Sequence, residues 1–301
     1  MFTILGHLGV WAGFYALAAF ICFSQLAGTN HNWLLPRWEA MVCVLLTATA
    51  VYSIDRVKLT ARWLDPADVA AQPERYGFLS PHNRSVRTLA FVLLLIAALI
   101  SVRLSTLLPF VILAAAVSTA LYAPMPRRKF ARIKDRLWLK NAYVAFGMAG
   151  FAGLFALFSH ARANYSTLLH VALERPLPLI IAFAVVALRI FFDAALCDMD
   201  DEATDRRFQT HTFATTLGSP RVWNWAGLGR GGLAVGMLFA QPVAFQIRVS
   251  WCVAMVLGMI ALRSRHPVRI RDTVDVRFLP EAFLATCITL VWNACADSRV
   301  S

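Results

Sequence analysis

Between Arg189 and Gly218 the chain reads RIFFDAALCDMDDEATDRRFQTHTFATTLG. Asp193, Asp198, Asp200, Asp201, Glu202 and Asp205 crowd into 13 positions, although the whole chain has only 17 acidic residues. Read as helix, Asp198, Asp201 and Asp205 stand at i, i+3 and i+7 and project from one face. Carboxylates stacked in this way repel, so a helix facing water gains nothing from the spacing. A hard divalent cation reverses that sign, because Mg²⁺ takes oxygen ligands and accepts a few carboxylates together with phosphate and water. The bland alternative is an acidic helix end whose charges suit the helix dipole or face solvent.

The elements that must hold these residues are apolar. Hydrophobic residues make up 59% of the chain, charged residues 15%, and the mean hydropathy is +0.60; soluble domains carry about 25% charge. Apolar runs near the length that crosses a bilayer recur at 8–27, 38–54, 88–102, 105–123, 141–159, 177–197, 222–240, 243–262 and 279–296. The third is short, and the seventh is interrupted by Arg230 and several glycines. The expectation is one all-α, polytopic membrane domain over 1–301, with about nine transmembrane helices around a central cavity open to the cytoplasmic side.

A net charge of +12 raises the question of nucleic acid, but its placement answers differently. Of the 29 Lys and Arg residues, 21 fall in 56–87, 127–140, 206–221 and 263–277, which are alternate loops on one side of the membrane. The positive-inside rule puts these loops and the amino terminus in the cytoplasm and the carboxyl terminus opposite. No nucleic-acid partner is expected; membrane lipids are. The six cysteines lie within apolar runs without a C-x-x-C pair, which suits buried hydrophobes rather than disulfides or zinc. The first apolar segment lacks a basic flank and a cleavage site and reads as retained.

A second acidic helix end appears in TATAVYSIDRVKLTARW, where Asp55, Arg56 and Lys58 arrive at the interface. Arg56 and Lys58 taken alone are snorkelling residues; Asp55 has no such explanation. The following loop carries Pro66, Pro73 and Pro81, and its Asp65 and Asp68 read as a helix start. Seven basic residues in 127–140, with Tyr122, Lys134 and Asn141 at the helix ends, suit a phosphate-bearing ligand. For Tyr122, interfacial anchoring is an equal reading. Arg189 and Asp193 stand at i, i+4 and form a structural pair if buried. Asp272 and Asp275 read as balancing their arginine neighbours, and Gly229, Gly231, Gly232 and Gly236 suit close helix packing.

Two acidic helix ends with basic neighbours on a greasy bundle imply a ligand with a diphosphate head and a hydrocarbon tail. Metal held by carboxylates makes the diphosphate a leaving group, and the membrane cavity shields a carbocation from water. No Ser-His-Asp set, P-loop or zinc pattern competes. A transporter is the other class that acidic residues in spans suggest, but their clustering at one end rather than the midplane speaks against it.

At this point the chain resembles the UbiA superfamily of intramembrane prenyltransferases, which includes terpene-cyclase-like members. The superfamily's second motif resembles D-x-x-D-x-x-x-D followed by G-x-x-T-L-P and a later Gly. Here DMDDEATDRRFQTHTFATTLG supplies Asp198, Asp201, Asp205, Thr212 and Gly218, with Gln209 where Gly is usual and Ala214 where Pro is usual. Tyr122, Lys134, Trp138 and Asn141 fall where some branches carry L-Y and K-x-x-x-W-x-x-N. The first motif, N-D-x-x-D-x-x-x-D, is met by Val51, Tyr52, Asp55 and Leu59, so only its middle Asp survives. The resemblance implies Mg²⁺ ligation by Asp198, Asp201, Asp205 and Asp55, and diphosphate binding by Arg56, Lys58, Lys134, Asn141 and Tyr122. It implies ionisation of an isoprenoid diphosphate and transfer to an aromatic or other lipophilic acceptor. Cyclisation without acceptor and a degenerate, non-catalytic isoprenoid-binding protein are the alternatives.

Overall fold

The computed structural model describes residues 2–28, 36–58, 64, 66–122, 137–160, 173–174, 176–264 and 270–298. Every element among the described residues is helical: α1 Phe2–His7, α2 Val10–Ala27, α3 Trp38–Val57, α4 Pro66–Ala71, α5 Pro73–Leu104, α6 Leu108–Tyr122, α7 Leu139–His160, α8 Pro176–Cys197, a 3-10 turn Asp198–Asp201, α9 Glu202–Arg207, α10 Phe213–Leu217, α11 Ser219–Leu238, α12 Phe245–Ser264 and α13 Ile270–Asp297. Six helical stretches are long and apolar enough to cross a membrane: α2, α3, α5, α7, α8 with its continuation to Arg207, and α12. Leu108–Ala120 is a shorter apolar helix. The remaining two expected spans lie on α11 and α13, which fall below that standard. The chain is an all-α, multi-pass membrane protein.

The uncharged sequence of α2 explains its place at the centre of the bundle, where it packs against α3, α7, α8 and α13. Gly13 lets α3 approach, since a Cβ there would collide with the Thr49 hydroxyl. On the outside, Leu89, Phe91, Leu95 and Leu99 of α5 are exposed. In water such an apolar stripe would mark a docking face; on a membrane bundle it meets hydrocarbon.

Several expectations are corrected. The 64–87 segment, read as a loop, is largely helix among its described residues, because α4 covers Pro66–Ala71 and α5 starts at Pro73 rather than near residue 88. Pro66 and Pro73 each open a helix, where a missing N–H costs nothing, and Pro81 lies inside α5. Asp68 stands in the first turn of α4, as a helix start requires. The acidic stretch is not one α-helix, since α8 ends at Cys197 and the 3-10 turn intervenes. Of the four glycines, Gly229 receives the Phe192 ring, whereas Gly232 and Gly236 face open space.

Candidate active site

A cavity of about 360 Å³ opens among α2, α3, α5, α6, α7, α8 and α13. One end is ionic, with Asp55, Arg56, Lys58, Lys140, Asp198, Asp201, Asp205 and Arg271 in its wall. The other is apolar, lined by Ala12, Ala16, Ala48, Val144, Met148 and Phe151. α8 and the 3-10 turn that follows it show how one continuous face makes both ends. Ile190, Asp193, Ala194, Cys197, Asp198 and Asp201 recur at helical spacing and pass from hydrocarbon to carboxylate.

Each carboxylate has a definite environment. Asp198, buried, accepts from Lys140 Nζ at 2.5 Å and Asn141 Nδ2 at 3.2 Å. Asp201 accepts from Arg271 Nη2 at 2.6 Å and Gln72 Nε2 at 3.5 Å. Across the cavity, Asp55 pairs with Lys58, whose backbone takes φ 54° at the end of α3. Arg56 is buried and donates to the Gly6 carbonyl, which ties α3 to α1. Two acids of the cluster, Asp200 and Glu202, turn away from the cavity. Asp200 accepts the backbone N–H groups of Ile270 at 3.1 Å and Arg271 at 2.8 Å, capping α13. Glu202 accepts from the Ser219 N–H at 3.1 Å, capping α11. Lys134 lies outside the described residues, as does the side chain of Tyr122, which ends α6.

Below the ionic end, Arg189 Nε meets Asp193 Oδ2 at 2.9 Å. The pair belongs to a larger buried network. Arg189 also meets Glu281 at 2.6 Å, Arg277 meets Asp193 at 3.2 Å and Glu281 at 2.9 Å, and Arg230 Nη1 lies 3.4 Å from Asp193. Tyr15 donates to Asp193 at 2.8 Å from α2. Three guanidiniums and two carboxylates therefore join α8, α11 and α13 away from water. Charges so buried persist only when paired and hydrogen-bonded.

Nothing in the sequence singled out Gln72, Arg75 or Arg271, while Lys140 stood only as one of seven basic residues and Asp275 only as a balance for arginines, yet all five line the cavity. On α13, Arg271, Val274 and Asp275 stand at i, i+3 and i+4 on the cavity face. That spacing was the available signal, hidden because charged residues at the start of a helix do not register as a span. Burial pushes the Asp275 carboxyl up to about 6, against the lowering effect of Arg56 and Arg271. Burial by itself would lower Arg271, but Asp201 holds its guanidinium well above the ordinary range.

No protein family and no curated protein matches the sequence. Solved structures do match the fold. A UbiA homologue from Aeropyrum pernix K1, solved in its apo state, superposes with TM-score 0.62 at 13% identity, covering 94% of this chain and 98% of that one. A UbiA homologue from Archaeoglobus fulgidus, bound to DMAPP and Mg²⁺, gives 0.52 at 11% identity, covering 95% and 98%. The fold is that of the UbiA homologues.

Two departures from the UbiA-like second motif now have physical descriptions. Gln209 takes φ 56°, the left-handed region that the usual glycine occupies without strain. Ala214 is the second residue of α10, a first-turn position where proline is tolerated, so either residue suits it. Thr212, fully buried, caps α10 through a reciprocal pair with Thr215. Gly218 has φ 82° at the turn into α11.

Proposed function

We propose that the chain is an intramembrane enzyme that ionises an isoprenoid diphosphate and transfers the prenyl group to a lipophilic acceptor. The observation that carries this reading is the two-ended cavity: carboxylates and cations at one end, alkyl and aromatic side chains at the other. A diphosphate with a hydrocarbon tail has the same division. The DMAPP and Mg²⁺ bound by the Archaeoglobus fulgidus homologue are a ligand of that kind in a similar fold.

Asp198, Asp201 and Asp205 on one side and Asp55 on the other offer oxygen donors, the set that Mg²⁺ prefers. Among the described residues no group of three or more His, Cys, Asp or Glu side chains converges closely enough to hold a metal ion by itself. Mg²⁺ ordinarily needs only one or two carboxylates, with substrate phosphate and water completing its shell, so the residues fit. When bound, it would neutralise the diphosphate and improve it as a leaving group. Lys58, Lys140, Arg56 and Arg271 supply N–H donors for phosphate oxygens, with Asn141 beside them, and Lys134 and Tyr122 take the same role from the 122–141 segment. The allylic C–O bond breaks with its electron pair leaving on the diphosphate. The cation is left at the head of the tail, beside Val144, with Met148 and Phe151 lining the apolar space deeper in the cavity, a lining that would shield it from water. The 21 basic residues grouped in alternate connecting segments support a cytoplasmic cavity mouth and amino terminus.

The test incubates purified protein with Mg²⁺ and isoprenoid diphosphates of ten to twenty carbons, first without and then with candidate acceptors. Pyrophosphate and the organic extract are both analysed. Turnover that awaits an acceptor is the expected result. A cyclic terpene formed without acceptor makes the chain a cyclase, and failure to bind Mg²⁺-diphosphate makes it a degenerate isoprenoid-binding protein. Asp198→Asn and Asp201→Asn should each abolish turnover in protein that still inserts and folds; near-normal rates in both would remove the carboxylates from the site.

A further inference from the structure

The apolar end of the cavity has one wall position with no side chain. Gly147 on α7 lines it, and a Cβ built there meets no atom within 4 Å. Its neighbours along the same face are Asn141 and Val144 towards the ionic end and Met148 and Phe151 beyond it. At 1.5 Å rise per residue, Gly147 lies about 9 Å from Asn141 along the helix axis, and Phe151 about 15 Å. With C–C bonds of about 1.5 Å in a zigzag, a chain of two isoprene units reaches roughly 9 Å and one of four units about twice that. A short tail therefore ends at the level of Gly147, and a long one must pass it.

Resting on the diphosphate reading above, we infer that Gly147 is the specificity-determining residue for tail length: its missing side chain keeps open the passage that long isoprenoid tails occupy. Glycine in the middle of a helix costs stability relative to other residues, so local structure alone does not favour it here. A leucine at this position would project into the cavity at the depth where the third isoprene unit begins.

The same helix supplies a matched control. Gly150 also has nothing within 4 Å of a built Cβ, but it is not part of the cavity wall. Gly147→Leu and Gly150→Leu thus make the same chemical change on one helix, inside and outside the cavity. Both remove a helix glycine, so both proteins should fold at least as well as the parent.

The experiment measures binding of non-ionisable thiolodiphosphate analogues with ten- and twenty-carbon tails to the nanodisc-embedded protein in Mg²⁺. Product formation from the matching diphosphates is followed alongside. In Gly147→Leu, the twenty-carbon analogue should bind about tenfold or more weakly, with the ten-carbon analogue changed by less than about threefold. Gly150→Leu should bind both as the parent does. An unchanged preference in Gly147→Leu, or equal loss of both analogues in folded protein, overturns the inference. Binding of neither analogue by the parent overturns the diphosphate reading itself, and the inference with it.

Discussion

Gln209 holds a left-handed backbone, φ 56°, without being glycine. The left-handed conformation costs an ordinary residue about 1 kcal/mol or more, part of which is returned by the larger unfolded-state entropy of glycine. Gln209→Gly is therefore expected to leave stability unchanged or raise it by up to about 1 kcal/mol, read as thermal unfolding in detergent. At Asp275 burial raises the carboxyl to about 6. Its folded value lies above the unfolded value near 4, so the stability it contributes is whole below about pH 4 and lost as pH rises through 6. Between pH 5 and 7 the parent should lose a few degrees of unfolding temperature that Asp275→Asn retains. Equal pH slopes in the two proteins would count against the burial argument.

At the scale of elements, acids that look alike in sequence divide between lining and capping. Glu202→Ala removes the acceptor of the Ser219 N–H at the start of α11 and should cost about 1 kcal/mol, with little effect on ligand binding. Helix spacing is governed by glycine only where another group claims the space. A Cβ at Gly258 would collide with the Glu281 carboxylate, which Arg189 and Arg277 hold at 2.6 and 2.9 Å. Gly258→Ala should therefore destabilise by about 2 kcal/mol or more through overpacking. Gly232→Ala, with open space around it, should be neutral or stabilise by up to about 1 kcal/mol through helix propensity. Thermal unfolding of the pair, measured together, checks both statements.

For the whole molecule, the buried network is the tie among helices distant in sequence. Removing Glu281 would leave Arg189, Arg230 and Arg277 around Asp193 alone. Breaking a buried pair in this way typically costs about 3–5 kcal/mol, so Glu281→Ala should express poorly or unfold at markedly lower temperature. The proposed orientation is a whole-molecule property too. Exposed Arg206 and Ser298 lie near the ionic end and at the far end of α13 respectively. In a background where the exposed Cys295 is replaced by Ser, Arg206→Cys should react with an impermeant maleimide from the cytoplasmic side only, and Ser298→Cys from the opposite side only. Labelling from the reversed sides would invert the topology.

Composition and apolar run length were sufficient to determine a helical, multi-pass membrane chain, because hydrocarbon permits few other ways to satisfy a backbone. The spacing of Asp198, Asp201 and Asp205 marked the acidic face even though the helix is broken beside them, since a 3-10 turn alters the angle per residue only modestly. The sequence also paired Arg189 with Asp193, because i, i+4 is a local relation. Only the tertiary structure brought Lys140 to Asp198 across 58 positions and Arg271 to Asp201 across 70. It alone turned Asp200 and Glu202 to helix caps and joined Glu281, Arg230 and Arg277 to the buried pair. Those contacts depend on how helices are set against one another, and hydropathy, which records only how a segment meets lipid, carries no record of it.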